Sequence, residues 1–305
     1  MSAGPASPLT DYARSRLVER FGPRVRTWCD KLPAELDVIT AVWGLRLGHA
    51  LPAGGTSVVL ACRTRDDEPV VLKLTPDPQI ARDEAKALDT WCDSPHVVAL
   101  LDADLARGAL LLEAFDPPTP LRDTATGWDL SDIAALLADL AAFRPLGPGH
   151  GLPDLRERVA FLFDLTETRY QHWPEASRHL PHELLDDSRA GALALADDGP
   201  VALLHGDLHP GNVLPTRRGL VAIDPRPCLG DPTFDTLDWL LAGTTTPGQL
   251  EANLDELARH LSAFDPARAW TWCQATAAAN AVGPLRRNPA DPHGRFLLQL
   301  ATGTH

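Results

Sequence analysis

The sequence predicts an α+β protein of two lobes, with a five-stranded antiparallel sheet plus helix in the first and a mostly helical second lobe. Short apolar runs recur between residues 39 and 112, separated by turns rich in Gly, Pro and Asp, which is typical of strands. From residue 130 onward the apolar residues recur mainly with a helical period. A chain of 305 residues, 44% of them hydrophobic, can build two cores, and we expect lobes at 1–115 and 116–305.

The N-terminal part is predicted to form one amphipathic helix over residues 9–31, because its apolar residues share one helical face. Pro23 weakens this helix or introduces a kink. We expect it to pack on the first lobe as an extra element without a role in chemistry.

The sheet of the first lobe follows from five short apolar segments. Strands are predicted at 39–51, 57–63, 70–74, 97–101 and 108–112, with a helix over 78–91 between the third and the fourth. The Pro-rich stretch 116–120 is predicted to be a stiff connection to the second lobe.

A lysine inside the third strand calls for a partner. Lys73 stands among apolar residues, where an unpaired ammonium group would be costly. Glu84 lies eleven positions later on the predicted helix and is the expected partner. The alternative is an edge-strand lysine that points to solvent.

The turn between the first two strands contains Gly54 and Gly55, followed by Thr56 and Ser57. Glycine lets backbone N–H groups approach a phosphate closely. The turn lacks a Gly-x-Gly-x-x-Gly pattern, so these residues fit an ordinary hairpin equally well.

The second lobe is predicted to consist mainly of helices. Helical segments are expected at 130–143, 155–172, 181–196, 231–242, 250–264, 266–281 and 295–301. Asp265 is placed to cap the helix that begins at Pro266.

One stretch of the second lobe, residues 203–214, holds the polar residues around which the chain is organised. Two apolar runs, predicted as buried strands, flank a turn that contains Asp207 and Asn212. The next strand, 220–223, ends at Asp224. Asp and Asn are common turn residues, so turn chemistry is the plain alternative. A hairpin would nevertheless bring the two carboxylates and the amide to neighbouring strand ends.

These residues resemble the motifs of a known superfamily of enzymes, the aminoglycoside phosphotransferases. The motifs are His205-Gly206-Asp207-Leu208-His209-Pro210-Gly211-Asn212, Ala222-Ile223-Asp224-Pro225 and Gly230-Asp231-Pro232-Thr233-Phe234-Asp235. The run from Ile223 to Asp235 resembles the streptomycin 6-phosphotransferase and hydroxyurea kinase branch. The resemblance covers most of the chain from about Trp43 and implies a bilobal protein-kinase-like fold.

The resemblance implies an ATP- and Mg²⁺-dependent phosphotransferase that acts on a hydroxyl of a small cationic antibiotic, streptomycin-like, and confers resistance. Asp207 is expected to orient the acceptor hydroxyl and take its proton, while Asn212 and Asp224 bind Mg²⁺. Lys73, held by Glu84, would contact the α- and β-phosphates.

The same resemblance assigns supporting roles to further residues. The turn Gly54, Gly55, Thr56 and Ser57 would lie over the phosphates, and the backbone around Glu113 and Phe115 would bond the adenine edge. His205 is expected to hold the loop, and Asp235 to cap loop N–H groups rather than touch substrate. Arg226 could offset phosphate charge or lie at the surface. The possible acceptor contacts are His209, Asp231, Asp238, Trp239, Trp270 and Trp272, with core packing as the alternative for each Trp.

Composition bounds the partners and the compartment. A net charge of −13 disfavours duplex nucleic acid and anionic membranes and suits a cationic substrate, although solubility alone explains it better. Five scattered cysteines without a Cys-x-x-Cys pair argue against a zinc site or disulfides and fit a reducing cytosol. No signal peptide or apolar membrane span is recognised, so a soluble cytoplasmic protein is predicted.

Other functions stay open at this stage. One is a metabolic small-molecule kinase with hydroxyurea, an amino alcohol or a sugar as acceptor, and another is a nucleotide-binding protein that has lost catalysis. Protein-kinase activity is disfavoured because no Ala-Pro-Glu follows Asp224. The absence of Gly-Lys-Ser/Thr after a strand excludes a P-loop kinase.

Overall fold

The computed structural model describes residues 9–52, 54–125, 127–143 and 151–303. The chain forms two compact units. The first comprises the residues up to Asp93 together with Val97–Pro118, and the second comprises Ser94–His96 and the residues from Thr119 onward.

The N-terminal region forms two helices, so the prediction of one helix over 9–31 is wrong. Helix α1 (Asp11–Phe21) ends at Gly22, which has a φ of +75° and donates its N–H to the Val18 carbonyl. Helix α2 (Val25–Trp43) then continues well past the predicted end. The strand predicted from residue 39 is therefore wrong in its first part. Its apolar residues belong to a helical face that includes the buried Ile39.

The first unit contains the predicted five-stranded antiparallel sheet, which is confirmed. The strands are β1 (Arg46–Ala50), β2 (Val58–Arg63), β3 (Pro69–Leu74), β4 (Leu100–Asp104) and β5 (Ala109–Glu113), with helix α3 (Pro78–Thr90) between β3 and β4. Their spatial order is β1-β2-β3-β5-β4, and every neighbouring pair is antiparallel. The fourth strand begins three residues later than predicted, although Val97 and Val98 are buried.

The core of the first unit lies between the sheet and α2. Alternate residues of β2, among them Leu60, point to the same side as Leu72 of β3 and are buried. They form one cluster with Leu32 and Leu36 of α2. The two N-terminal helices therefore cover the sheet as integral parts of the unit, and α1 joins through the buried Leu17.

The second unit is mainly helical, as predicted. Its helices are α4 (Leu130–Ala142), α5 (Leu155–Gln171), α6 (Ala176–His179), α7 (His182–Ala196), α8 (Leu237–Leu241), α9 (Pro247–His260), α10 (Pro266–Arg287) and α11 (Pro292–Ala301). Two small sheets accompany them: β6 (Ala202–Leu204) pairs with β9 (Cys228–Gly230), and β7 (Val213–Thr216) forms a hairpin with β8 (Gly219–Ala222).

Several elements of this unit differ from the prediction. Strand β9 and the short α6 were not predicted, and the helix expected over 231–242 is a 3-10 helix at Pro232–Thr236 followed by α8. Helix α9 starts three residues earlier than expected, since Thr246 caps it and Pro247 takes its first position. Helix α10 runs on to Arg287, and its Asp265 cap is confirmed.

The length and hydropathy of the helices decide whether any of them could span a membrane. Within the described residues, none is both long and apolar enough to cross a bilayer.

Candidate active site

The loop between β6 and β7, residues 205–212, is the central feature of the second unit. Its backbone turns sharply at Gly206, which has a φ of +72°. A Cβ atom at this position would lie 2.1 Å from the Arg226 carbonyl oxygen, so only glycine fits. We call residues 205–212 the catalytic loop below, after the role that is expected of them from the sequence.

Asp235 holds the start of the catalytic loop through its backbone. The carboxylate accepts the N–H of His205 at 2.7 Å and that of Gly206 at 2.9 Å. Burial raises the pKa of Asp235 to about 7, and the two N–H groups act in the opposite direction. Asp235 is 6% exposed, so it caps the loop from the protein interior, as expected from the sequence.

His205 links the catalytic loop to the end of β8. Its ring is fully buried, and Nε2 lies 3.1 Å from the carbonyl oxygen of Ile223, so Nε2 carries the proton. Among the described residues Nδ1 has no hydrogen-bond partner. Burial lowers the pKa of His205 to about 4, which makes the ring neutral at pH 7. The expected structural role of His205 therefore has a definite geometry.

Asp207 is oriented by two side chains. Its Oδ1 accepts from Nη2 of Arg158 at 2.9 Å, and its Oδ2 lies 3.3 Å from Nδ2 of Asn212. The carboxylate is about one-third exposed, at 32% of its side-chain surface. It is therefore fixed in direction and still accessible to a ligand.

Asn212 is held by its backbone and by its amide nitrogen. Its N–H donates to the His209 carbonyl at 2.8 Å, and its own carbonyl accepts from Ile223 at 2.9 Å. Nδ2 donates to the Asp207 carbonyl at 3.0 Å, which fixes the nitrogen end of the amide. The oxygen Oδ1 consequently faces away from Asp207.

Asp224 lies one residue after Ile223, so it is adjacent to Asn212 across the end of the β7–β8 hairpin. Its φ of +57° is left-handed, a region that residues with a Cβ adopt at some cost. One carboxylate oxygen accepts from Nη2 of Arg226 at 3.0 Å. The catalytic loop carries Asp207 and Asn212, and the neighbouring end of β8 leads to Asp224. The three residues thus lie on adjacent loop and strand ends, as the sequence predicts.

The described geometry is compatible with a magnesium ion at Asn212 and Asp224. Mg²⁺ prefers hard oxygen ligands and is usually held by one or two protein groups together with phosphates and water. The Asn212 amide has its nitrogen committed to Asp207, which leaves its oxygen for a cation. The strained backbone of Asp224 is typical of a functional position.

In the first unit, Lys73 and Glu84 form the expected ion pair. Nζ of Lys73 on β3 lies 2.6 and 2.5 Å from the two carboxylate oxygens of Glu84 on α3. Both side chains are nearly inaccessible, with exposures of 4% and 1%. A buried pair of this kind requires mutual neutralisation, which explains how a lysine is accommodated in an apolar strand.

The other residues expected near a nucleotide also belong to the first unit. Gly54, Gly55, Thr56 and Ser57 lie in the connection between β1 and β2, and Ser57 is buried. Glu113 ends β5, and Phe115 follows it two residues later.

Two of the expected acceptor contacts lie beside Asp207. His209 is partly exposed, and its Nδ1 accepts from Gly211 N at 2.9 Å, so Nε2 carries a proton. Asp238 on α8 is exposed, yet desolvation by surrounding protein raises its pKa to about 6. The His209 charge acts against this rise and the Asp207 charge adds to it. The mutual influence of these charges places Asp238 near the catalytic loop.

The remaining expected acceptor contacts lie elsewhere. Asp231 and Trp272 are buried, and Asp231 accepts from Nε of Arg268 at 2.5 Å and from Nε1 of Trp272 at 2.7 Å. Trp239 is 1% exposed, because it packs in the core against the edge of Trp128. These three residues stabilise the unit, so the expectation that they contact an acceptor is corrected. Trp270 is partly exposed on α10.

Arg158 on α5 also belongs to this site and was not predicted from the sequence. Besides its bond to Asp207, its Nε donates to the Gly206 carbonyl at 2.8 Å. A signal was present: position 158 falls three residues after the buried Leu155 and one before the buried Val159, on the apolar stripe of the helix. A charge on such a stripe indicates a buried partner.

Comparison with known proteins gives independent information about the family of this chain. A family model described as aminoglycoside/hydroxyurea antibiotic resistance kinase matches residues 43–286. The chain is 31% identical over 322 residues to streptomycin 6-kinase from Streptomyces glaucescens, covering 98% of this chain and 97% of that protein. It is 33% identical over 261 residues to hydroxyurea phosphotransferase from Kitasatospora aureofaciens, covering 82% and 73% of the two chains.

The fold resembles that of the choline kinase LicA from Streptococcus pneumoniae, with a TM-score of 0.62 at 15% identity, covering 90% of this chain and 99% of that one. The predicted bilobal protein-kinase-like α+β fold is thereby confirmed. Because the family model matches more than half of the chain and both relatives are more than 30% identical over most of it, this chain belongs to the family of aminoglycoside/hydroxyurea antibiotic resistance kinases.

Proposed function

We propose that the protein is an ATP- and Mg²⁺-dependent phosphotransferase that phosphorylates a hydroxyl of a small cationic antibiotic of the streptomycin type and thereby confers resistance. The observation that carries the proposal is the carboxylate of Asp207, which is oriented and accessible. It lies next to Asn212 and Asp224, whose oxygen atoms are the proposed metal ligands. Membership of a kinase family makes ATP the expected phosphoryl donor.

In this proposal Asp207 orients the acceptor hydroxyl and accepts its proton as the bond to phosphorus forms. Such a transfer depends on placement and charge neutralisation more than on covalent help from the protein. The two donors that fix the carboxylate make its placement precise. Asn212 keeps its amide nitrogen on Asp207 and offers its oxygen to the metal, so base and metal site are coupled through one side chain.

Asn212 and Asp224 would hold Mg²⁺, which when bound neutralises phosphate charge and aligns the transferred group. Arg226, bonded to Asp224, keeps that carboxylate oriented. The hydrogen bond between Asn212 and Ile223 keeps the two proposed ligands in register.

The first unit would bind the nucleotide. Lys73 is held by both oxygens of Glu84, so its ammonium group is preorganised to contact the α- and β-phosphates. The Gly54–Ser57 turn would cover the phosphates, and the backbone around Glu113 and Phe115 would bond the adenine edge.

Asp238 and His209 would face the acceptor. Asp238 is an exposed carboxylate whose charge acts on the same site as that of Asp207, which suits a guanidinium or ammonium group of the acceptor. Cationic substrates favour the ionised carboxylate, so acceptor binding would lower the pKa of Asp238. The partly exposed Trp270 stays a possible contact.

Phosphorylation of hydroxyurea is the second candidate, favoured by the 33% identity to a hydroxyurea phosphotransferase. Hydroxyurea is small and uncharged, so Asp238 would contribute little to its binding. The two candidates therefore differ in how they depend on this residue.

The deciding experiment measures ADP release with streptomycin and with hydroxyurea, together with the mass of the product. We expect acceptor-dependent ADP release with streptomycin and a product heavier by one phosphoryl group. Asp238→Asn should raise the KM for streptomycin by about tenfold, the effect of one lost charge contact of about 1.4 kcal/mol.

Each result has a clear meaning. Turnover of hydroxyurea alone, unaffected by Asp238→Asn, would favour the second candidate. ADP release that no acceptor increases, across antibiotics and metabolites, would contradict the proposal. Asp207→Asn is the control for contaminating kinases, since it preserves size and removes the base.

A further inference from the structure

We propose that Arg158 is a positioning residue of the phosphoryl transfer, because it fixes which oxygen of Asp207 receives the acceptor proton. This inference rests on the proposed function. It concerns a residue on α5, outside all the sequence motifs.

The contacts of Arg158 span the sharpest point of the catalytic loop. Nε donates to the Gly206 carbonyl at 2.8 Å, and Nη2 donates to Oδ1 of Asp207 at 2.9 Å. A planar guanidinium group that binds two successive residues fixes their relative orientation, which a flexible lysine ammonium group cannot reproduce. The Asp207 side chain is thereby tied to the loop backbone.

The burial of Arg158 distinguishes it from an ordinary surface arginine. Its side chain is 10% exposed, whereas that of Arg156, two residues earlier, is 49% exposed and pairs with Asp197 at the surface. A buried cation requires compensating negative charge. The positive charge of Arg158 acts on Asp235 and Asp238 as well as on Asp207.

These charges have a consequence for the reaction. Three carboxylates near the transfer site would repel an incoming triphosphate, and the buried guanidinium group offsets part of that repulsion. The guanidinium group lies on the buried side of Asp207, where it does not compete with the acceptor.

The geometry also assigns the proton. Oδ1 of Asp207 is occupied by Arg158 at 2.9 Å, whereas the contact of Oδ2 with Asn212 is longer, at 3.3 Å. The acceptor hydroxyl therefore meets Oδ2. As its oxygen bonds the γ-phosphorus, the bond from phosphorus to the ADP oxygen breaks, ADP keeps that electron pair, and the proton passes to Oδ2.

The test compares Arg158→Gln, Arg158→Lys and, as the matched control, Arg156→Gln. We expect Arg158→Gln to lower kcat by about 100-fold, the effect of misplacing a reacting group by about 1 Å, with both KM values within about twofold. Arg158→Lys should recover part of this loss through its charge. Arg156→Gln should leave kcat unchanged, because its ion pair is exposed.

A second measurement separates positioning from a merely structural effect. Arg158→Ala leaves a space of guanidinium shape, so added guanidinium at millimolar concentration should raise the kcat of this variant but not that of Arg156→Ala. Equal thermal melting temperatures of Arg158→Gln and the wild type would exclude misfolding. Unchanged kcat in Arg158→Gln, or a loss seen only in KM for ATP, would overturn the inference.

A third measurement does not need turnover, so it distinguishes this inference from the proposed function. In NMR spectra of the wild type, slow rotation of the Arg158 guanidinium group should give separate Nη signals, and Asp207→Ala should merge them. A freely rotating Arg158 in the wild type would overturn the inference whatever the acceptor is. Slow rotation of the Arg158 guanidinium group, in a protein whose ADP release no acceptor increases, would have a different meaning. The contact between Arg158 and Asp207 would then be supported, and the proposed function would be refuted.

Discussion

The buried His205 should make the folded protein sensitive to acid. The ordinary pKa of histidine is 6.5 and burial lowers that of His205 to about 4, so the unfolded chain binds a proton over a range in which the folded chain does not. The stability that His205 contributes is therefore complete above about pH 6.5 and is lost as the pH falls toward 4. Linkage gives a loss of about 2 kcal/mol between pH 8 and pH 5.

Asp235 acts in the opposite direction over the same range. Its pKa is raised to about 7, so the folded state binds a proton more readily than the unfolded state, and stability from this group falls as the pH rises from about 4 to 7. The wild-type profile alone thus combines two opposing effects. The effect of His205 must be obtained from the difference between the wild type and a variant that cannot titrate.

His205→Gln provides this comparison, because the glutamine amide can still donate to the Ile223 carbonyl that His205 contacts at 3.1 Å. The assay is urea unfolding at pH 8 and pH 5 in metal-free buffer. We expect the variant to be less stable at pH 8, and its loss of stability on acidification to be smaller than that of the wild type by about 2 kcal/mol. Equal losses in the two proteins would refute the reasoning, since they would mean that His205 titrates alike in both states.

Four further predictions concern the site and its support. Asp207→Ala should abolish turnover and leave nucleotide affinity nearly intact, as measured by nucleotide titration, whereas Lys73→Ala should chiefly weaken nucleotide binding in the same titration. Gly206→Ala should lower the thermal melting temperature, because its Cβ would lie 2.1 Å from the Arg226 carbonyl oxygen. Asp231→Ala should destabilise the protein by about 3–5 kcal/mol in urea unfolding, because the buried Trp272 and the partly buried Arg268 lose the carboxylate that accepts from them.

The outcomes that would contradict these predictions are equally specific. Residual turnover in Asp207→Ala would remove it as the base, and unchanged nucleotide affinity in Lys73→Ala would remove it from the phosphate site. An unchanged melting temperature for Gly206→Ala would show that the loop relaxes. For Asp231, the control is Asp198→Ala, which removes only a surface partner of Arg268 at 3.6 Å and should cost little.

The sequence allowed the sheet and the central motif to be predicted because both depend on local patterns. Short strands bounded by turns can be recognised from the spacing of their apolar residues. The ion pair of Lys73 follows from the cost of an unpaired buried charge. The role of Asp235 was expected from the resemblance of its motif, and its carboxylate accepts the N–H groups of His205 and Gly206.

The errors arose where tertiary contacts override local pattern. Ile39 continues a helical face into what reads as a strand, and only the packing of α2 on the sheet decides between the two. Asp231 was placed with the acceptor because its partner, Arg268, lies 37 residues away in the sequence. Trp272 likewise donates to Asp231 from a helix whose orientation the sequence does not give.

The β7–β8 hairpin has two ends with opposite tolerance to change. Asn212 and Ile223 are joined by a backbone hydrogen bond of 2.9 Å at one end, so the proposed metal ligands are spaced by the hairpin ladder itself. The exposed Arg217 and Arg218 form the connection at the other end. Lengthening that connection would leave the ladder and the spacing of the proposed ligands unchanged. A register slip of one residue would instead turn one proposed ligand to the opposite face and separate the two side chains.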